Sequence, residues 1–300
     1  MSQLLSMGSS ITLSMLPVVH AADPWAVNIK AAAAAVELQA TDDMTIGGNI
    51  GPTYAKGQDG LLRAVATVIQ GPPQGTRVAL VALDILALSR DVLDATSREI
   101  EKRTGIPFDH IIINSTHTHH APATVRMHGY DVVPEFVDQV KNAAVEAVVR
   151  ADSELTSSSF TRAFFIMGRE ETIGQNSRIQ MRDGTISWAR FDRSEQLHPT
   201  GPFDPDFPVL SFRRPDGSLA VVLFGHSTHP IGTRNPGRRS PAFYGLAAQD
   251  FERESGAIST FIEGASGSTH LGIGNIKHVM RTPCGWACPA DGTLPCLHSV

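Results

Sequence analysis

The stretch from Thr76 to Pro122 limits the fold more than any other. "TRVALVALDILALS" is a continuous apolar run with β-branched residues, as a strand buried on both faces requires. Ser89 then stands where a helix N-cap would. "RDVLDATSREIEKRT" has helical periodicity, and Gly105 follows as its stop. "HIIIN" is the next strand. Strand, helix and strand in that order predict a right-handed parallel crossover. The sequence then reads "STHTHHAP", so His117, His119 and His120 fall just past the C-terminal end of a buried strand. Open α/β sheets place their ligands there.

The remaining pattern is helix first and strands after. Pro134 opens "PEFVDQVKNAAVEAVVRA", whose Phe136, Val137, Val140, Ala144 and Val148 share one face. "SSFTRAFFIM" and "RIQMRDGTISWARF" read as strands, the second folded back at Asp183-Gly184. "PVLSFRRPDGSLAVVLFGHSTH" reads as a hairpin around Pro215-Asp216-Gly217. A helix near Pro241–Glu254 and a strand "AISTFIEG" follow, and beyond Gly274 the pattern dissolves. The Ala-rich "KAAAAAVELQA" stands out as a biased segment. The fold class is α/β, with mixed β-sheet layers flanked by helices. Three hundred residues suffice for one large domain or two small ones.

Charge narrows the partners. The formal net charge is −5 with no long basic block, which argues against nucleic acid. Residues 1–22 carry an apolar stretch and the small-residue pattern Val19-His20-Ala21, as a signal peptide would, although the first lysine is Lys30. The expectation is a secreted or periplasmic protein with its main domain over residues 23–274. An irregular tail, 275–300, holds Cys284, Cys288 and Cys296 beside His298. Their spacing leaves a zinc site, one disulfide with a spare thiol, and a loose tail all open.

The histidines carry the chemistry. His117 and His119 are two residues apart, so in an extended segment both point to one face. A second pair, His226 and His229, again follows an apolar strand. Neutral imidazoles bind Zn²⁺, and a catalytic zinc keeps three protein ligands and an open position. Spacing alone leaves a shared metal site and ordinary hydrogen-bonded histidines both open. His120, His128, His198 and His270, taken singly, read as the latter. "GASGS" (Gly264 to Ser268) lacks the last glycine of a nucleophile elbow, which makes a serine hydrolase built on Ser266 the lesser alternative.

The order of motifs resembles the N-terminal domain of the neutral/alkaline non-lysosomal ceramidases and their bacterial relatives. The apolar strand ending in Asp84 and Ser89, the helix and Thr116-His117-Thr118-His119 resemble that family's Asp-x-x-x-x-Ser and Thr-His-Thr-His elements. Asn176 and Arg178 are similar to its Asn-Arg element, "SPAFYG" to Ser-Ala-Asp-Phe-Pro-Gly, and "FIEGASGSTH" to Phe-x-Gln-Gly-x-x-Gly-Asp-x-Ser/Asn. The resemblance covers roughly Ala32 to His270. It implies a zinc-dependent amidohydrolase cleaving the N-acyl amide of a ceramide or related lipid, and it leaves room for peripheral membrane contact. It also implies that His117 and His229 are metal ligands, and that His119 and Arg178 contact the substrate amide or the developing oxyanion. The departures are specific. Ala242 stands for the family's Asp, and Ser268-Thr269-His270 for its Asp-x-Ser. The family's remaining zinc ligands, a Glu and a Tyr, lie further downstream than this sequence extends. A truncated, catalytically silent relative that binds metal without turnover is therefore the second expectation.

Overall fold

The computed structural model describes residues 29–71, 75–158, 161–188 and 194–271. The expected signal peptide and the cysteine-bearing tail lie outside the described residues.

Two four-stranded sheets stack between helices, giving four layers. The first sheet runs β1 (Lys30–Glu37), β2 (Arg63–Gln70), β3 (Arg77–Leu83), β4 (Ile111–Ser115). Its first three strands are antiparallel. β3 and β4 are parallel and joined through α1 (Arg90–Thr104), the crossover read from the sequence. α1 ends at Gly105 with φ 70°, a left-handed cap that favours glycine. β3 is shorter than its apolar run. At Asp84 the chain turns out of the ladder, its N–H bonding to Arg63 O at 2.9 Å, and Ile85 to Ser89 form the loop into α1.

α2 (Pro134–Ser157) lies across β1 and β2. Its Phe136, Val140, Ala144 and Val148 are fully buried against Ala64, Ala66, Val68 and Val81. Burying each large apolar side chain contributes about 1.5–3 kcal/mol.

The second sheet has the order β12 (Ile258–Glu263), β11 (Leu219–His226), β10 (Asp206–Arg213), β5 (Arg162–Arg169). β11 and β12 are parallel and joined through α3 (Ala242–Ser255); the other pairs are antiparallel. α3 covers the outer face, setting Phe243, Tyr244 and Ala248 on Val222, Phe224 and Phe261. The inner face sets Phe212, Val221 and Leu223 against Ala31, Ala33 and Leu80 of the first sheet. A hydrogen bond between the Thr67 and Thr260 hydroxyls, 2.8 Å long, ties the sheets together.

The Ala-rich segment is β1. Alanine favours helix locally, yet here small side chains are needed on both faces. Ala32 and Ala34 pack under α2, and Ala31 and Ala33 meet the second sheet. Two small sheets complete the fold. One pairs β6 (Gly174–Asn176) with β13 (Thr269–Leu271). The other places β7 (Arg178–Met181) between β8 (Ile186–Trp188) and β9 (Gln196–Pro199). The turn at Gly184 and the β10–β11 hairpin at Gly217 fall where the sequence places them, with φ 85° and 86°.

Candidate metal centre

Each parallel pair delivers histidine from its C-terminal end. Past β4 the chain enters the Thr116–His120 loop, and past β11 the Ser227–His229 loop. The two loops meet. One ring nitrogen from each of His117, His119 and His229 lies within 4.8 Å of the other two. The ring centroids are 4.7–5.1 Å apart, and the rings stand steeply to one another. All three residues are half-buried.

Backbone carbonyls hold every ring by its Nδ1. His117 Nδ1 lies 2.8 Å from Leu86 O, His119 Nδ1 3.0 Å from Gly48 O, and His229 Nδ1 3.2 Å from Ser266 O. A carbonyl only accepts, so Nδ1 is the protonated nitrogen in each ring and Nε2 carries the lone pair. Outer hydrogen bonds of this kind orient metal-binding histidines and raise their basicity.

His119 Nε2 and His229 Nε2 are 2.9 Å apart. Two lone pairs facing at that distance repel unless a proton or a cation lies between them. A proton is disfavoured at His119, whose pKa falls to about 3, through burial first and then the neighbouring His229 and His117. A cation satisfies all three nitrogens at once, so the donor set fits a metal ion such as Zn²⁺.

The supports are local. His117 has φ 62°, in the left-handed region that non-glycine residues rarely occupy and that clusters at functional sites. Thr116 N bonds to Leu83 O, and its hydroxyl donates to Asp84 Oδ1 at 3.2 Å. Asp84 is buried; desolvation lifts its pKa to about 7 against the pull of Arg63. Thr118 Oγ1 donates to Ser240 O, and His229 N to Thr269 O. Gly48 has φ 97°, and a Cβ there would sit 2.6 Å from the His119 ring. Its N–H donates to Tyr130 Oη at 2.7 Å. Sequence reasoning missed Gly48; the pair Gly47-Gly48, remote from the histidines in the chain, is its only trace there.

The paired histidines of the second cluster separate. His226 is buried and uses both ring nitrogens elsewhere. Tyr244 Oη donates to its Nδ1 at 2.6 Å, and its Nε2 donates to Glu170 O at 3.2 Å. It is a structural tie between β11, α3 and the Glu170 turn. His120 bonds to Ile231 O through Nε2, while His128 and His198 are exposed. Arg178 lies on β7, next to the β6–β13 pair. Its guanidinium donates to Ser177 Oγ at 2.9 Å and lies 3.5 Å from the Trp188 ring. One link to the cluster runs through the backbone: Asn176 pairs with Thr269, whose carbonyl receives His229 N–H. Ser266 supplies its carbonyl to His229. Beside it, both Glu263 carboxyl oxygens are buried without a partner in hydrogen-bond geometry. Burial raises the Glu263 pKa to about 8, only partly offset by the nearby Ser266 hydroxyl.

No protein-family profile and no curated protein sequence matches the chain. Its fold is that of neutral ceramidase. The neutral ceramidase from Pseudomonas aeruginosa superposes with a TM-score of 0.62 at 19% identity, over 82% of this chain and 40% of that one. A second structure, a ceramidase complexed with C2, gives 0.60 at 20% identity, over 81% and 39%. This chain thus spans about two fifths of either solved protein. Among the described residues, no helix is long and apolar enough to cross a membrane.

Proposed function

We propose that the chain is a metal-dependent amidohydrolase of the ceramidase type, with Zn²⁺ held by His117, His119 and His229. The supporting observation is the convergence of three imidazoles whose Nδ1 atoms all meet backbone carbonyls and which each offer one ring nitrogen within 4.8 Å of the others. A bound zinc supplies Lewis acidity, polarising a carbonyl and making water nucleophilic near neutral pH. The chain's own residues orient the three rings, and burial keeps His119 neutral. The substrate class, an N-acyl amide in a ceramide or related lipid, rests on the likeness to neutral ceramidase. Export through residues 1–22 and contact with a lipid surface belong to the same proposal.

Geometry does not separate His119 from the other two rings, whereas the sequence resemblance gives it a substrate contact. Metal analysis of single variants decides. Wild type is expected to carry about one zinc per chain, and His117→Ala and His229→Ala to lose it. Loss in His119→Ala assigns a third ligand; retained zinc with lost turnover assigns a substrate contact. Zinc uptake unchanged in His117→Ala refutes the centre. Arg178 is proposed to stabilise the oxyanion. Arg178→Ala is then expected to lower turnover of a fluorogenic N-acyl lipid while zinc content stays the same.

The engagement of the Arg178 guanidinium with Ser177 and Trp188 favours a second reading, metal binding without turnover. Zinc uptake with no hydrolysis of any N-acyl lipid selects it. Hydrolysis abolished by a chelator and restored by zinc selects the enzyme.

A further inference from the structure

β5 is the outer strand of the second sheet. β10 pairs with it along its whole length, Arg162 to Arg169, and the other edge has no strand beside it among the described residues. Its sequence, "RAFFIMGR", has no charge and no proline between its end arginines. Edge strands usually carry such residues, or bulges, to block pairing with another chain. β5 is also apolar on both faces. Phe165 (62% exposed) and Met167 (54%) point to one side, and Phe164 (45%) and Ile166 (47%) to the other. A helix or a flat surface could cover one of these faces. Only another strand, set edge to edge, extends both at once and satisfies the open backbone groups.

The charges select the direction. At one end, Arg162 lies opposite Arg213. At the other, Arg169 pairs with Glu171 and approaches Asp206, so two carboxylates surround one guanidinium. A parallel arrangement of two copies would bring like ends together. An antiparallel arrangement sets the basic end of each strand against the acidic end of its mate. A single patch that complements itself under a half-turn is what a two-fold dimer requires.

We propose that two copies of this chain associate through β5, edge to edge and antiparallel, joining their second sheets into one eight-stranded sheet. A contact of one strand on one strand buries less than the roughly 800 Å² per partner of a standard interface. The dimer is therefore expected to form in a concentration-dependent way, with Kd in the micromolar range.

The test is sedimentation velocity on the full chain over a wide concentration range, in chelator so that no metal bridges two molecules. Wild type is expected to pass from monomer to dimer. Arg162→Glu with Arg213→Glu turns the basic end acidic, sets acid against acid at both ends and is expected to weaken association by roughly tenfold. Glu171→Arg alone sets base against base and is expected to weaken it as well. The triple variant, with all three substitutions, restores opposite signs and is expected to recover dimerisation. Circular dichroism checks that each variant folds. A chain that stays monomeric at all concentrations overturns the proposal. So does a dimer insensitive to Arg162→Glu with Arg213→Glu, or one that the triple variant does not restore.

Discussion

Gly48→Ala tests how the His119 ring is held. Two costs arise at this position. The backbone φ of 97° is one that side-chain-bearing residues rarely adopt, and left-handed backbone costs such residues about 1–2 kcal/mol. The added Cβ would also lie 2.6 Å from two atoms of the His119 ring, and overpacking of this kind costs about 1–3 kcal/mol. If the ring stays, the protein loses about 2–5 kcal/mol of stability, the sum of the two. If the ring moves, the Nδ1 bond to Gly48 O breaks and Nε2 leaves the cluster. Zinc affinity should then fall about 10–100-fold, as for loss of other outer-shell supports. Gly51→Ala is the control, because Gly51 has φ 78° but nothing within 4 Å of the added Cβ. It should show the backbone cost alone, with zinc affinity unchanged. Urea unfolding in chelator reads stability, and competition with a chromophoric chelator reads affinity. If Gly48→Ala matches Gly51→Ala in both measurements, the contact with His119 does not constrain the site.

Other expectations follow from the buried polar groups. Tyr244→Phe removes the donor to His226 Nδ1 and the acceptor for Thr228 N–H; leaving buried groups unpaired should cost about 1–3 kcal/mol each in a denaturant titration. Glu263 has a folded pKa of about 8 against 4.5 for the free group. Between those values the folded state holds a proton that the unfolded state releases, so this group makes stability fall as pH rises from 4.5 toward 8. Glu263→Gln should remove that slope, and its advantage over wild type in urea midpoint should grow from pH 5 to pH 8. Equal advantages at both pH values would mean that Glu263 is not held neutral. Asp84, raised to about 7 from 3.8, contributes a slope of the same sign at lower pH, so Asp84→Asn should be the more stable form near pH 7 if Thr116 keeps its bond to the new side chain.

Much of this molecule is legible without coordinates, and the reason is local. β3, α1 and β4 follow from an apolar run, an amphipathic repeat stopped by Gly105 and a second apolar run; Ser89 stands at the N-cap position without a side-chain capping bond. The handed crossover then places His117 and His119 at a strand end. Turns at Gly184 and Gly217 follow from Asp-Gly pairs whose second residue must take positive φ. β1 was not legible, because alanine has no β preference. Its place between α2 and the second sheet selects small side chains, and that is a property of the packed layers. The spacing of His226 and His229 made them look equivalent. Tertiary structure divides them, since Tyr244 and Glu170 occupy both nitrogens of the first and leave the second to meet His119. Arg178 likewise owes its position to Trp188 across the β7–β8 pair, a partner that strand pairing supplies. The sequence by itself determined which residues could bind a metal and at which strand ends they would stand. Only the stacking of the two sheets decided that loops over a hundred residues apart would bring three of those rings together. Lone pairs converge through long-range packing, and no local pattern encodes that.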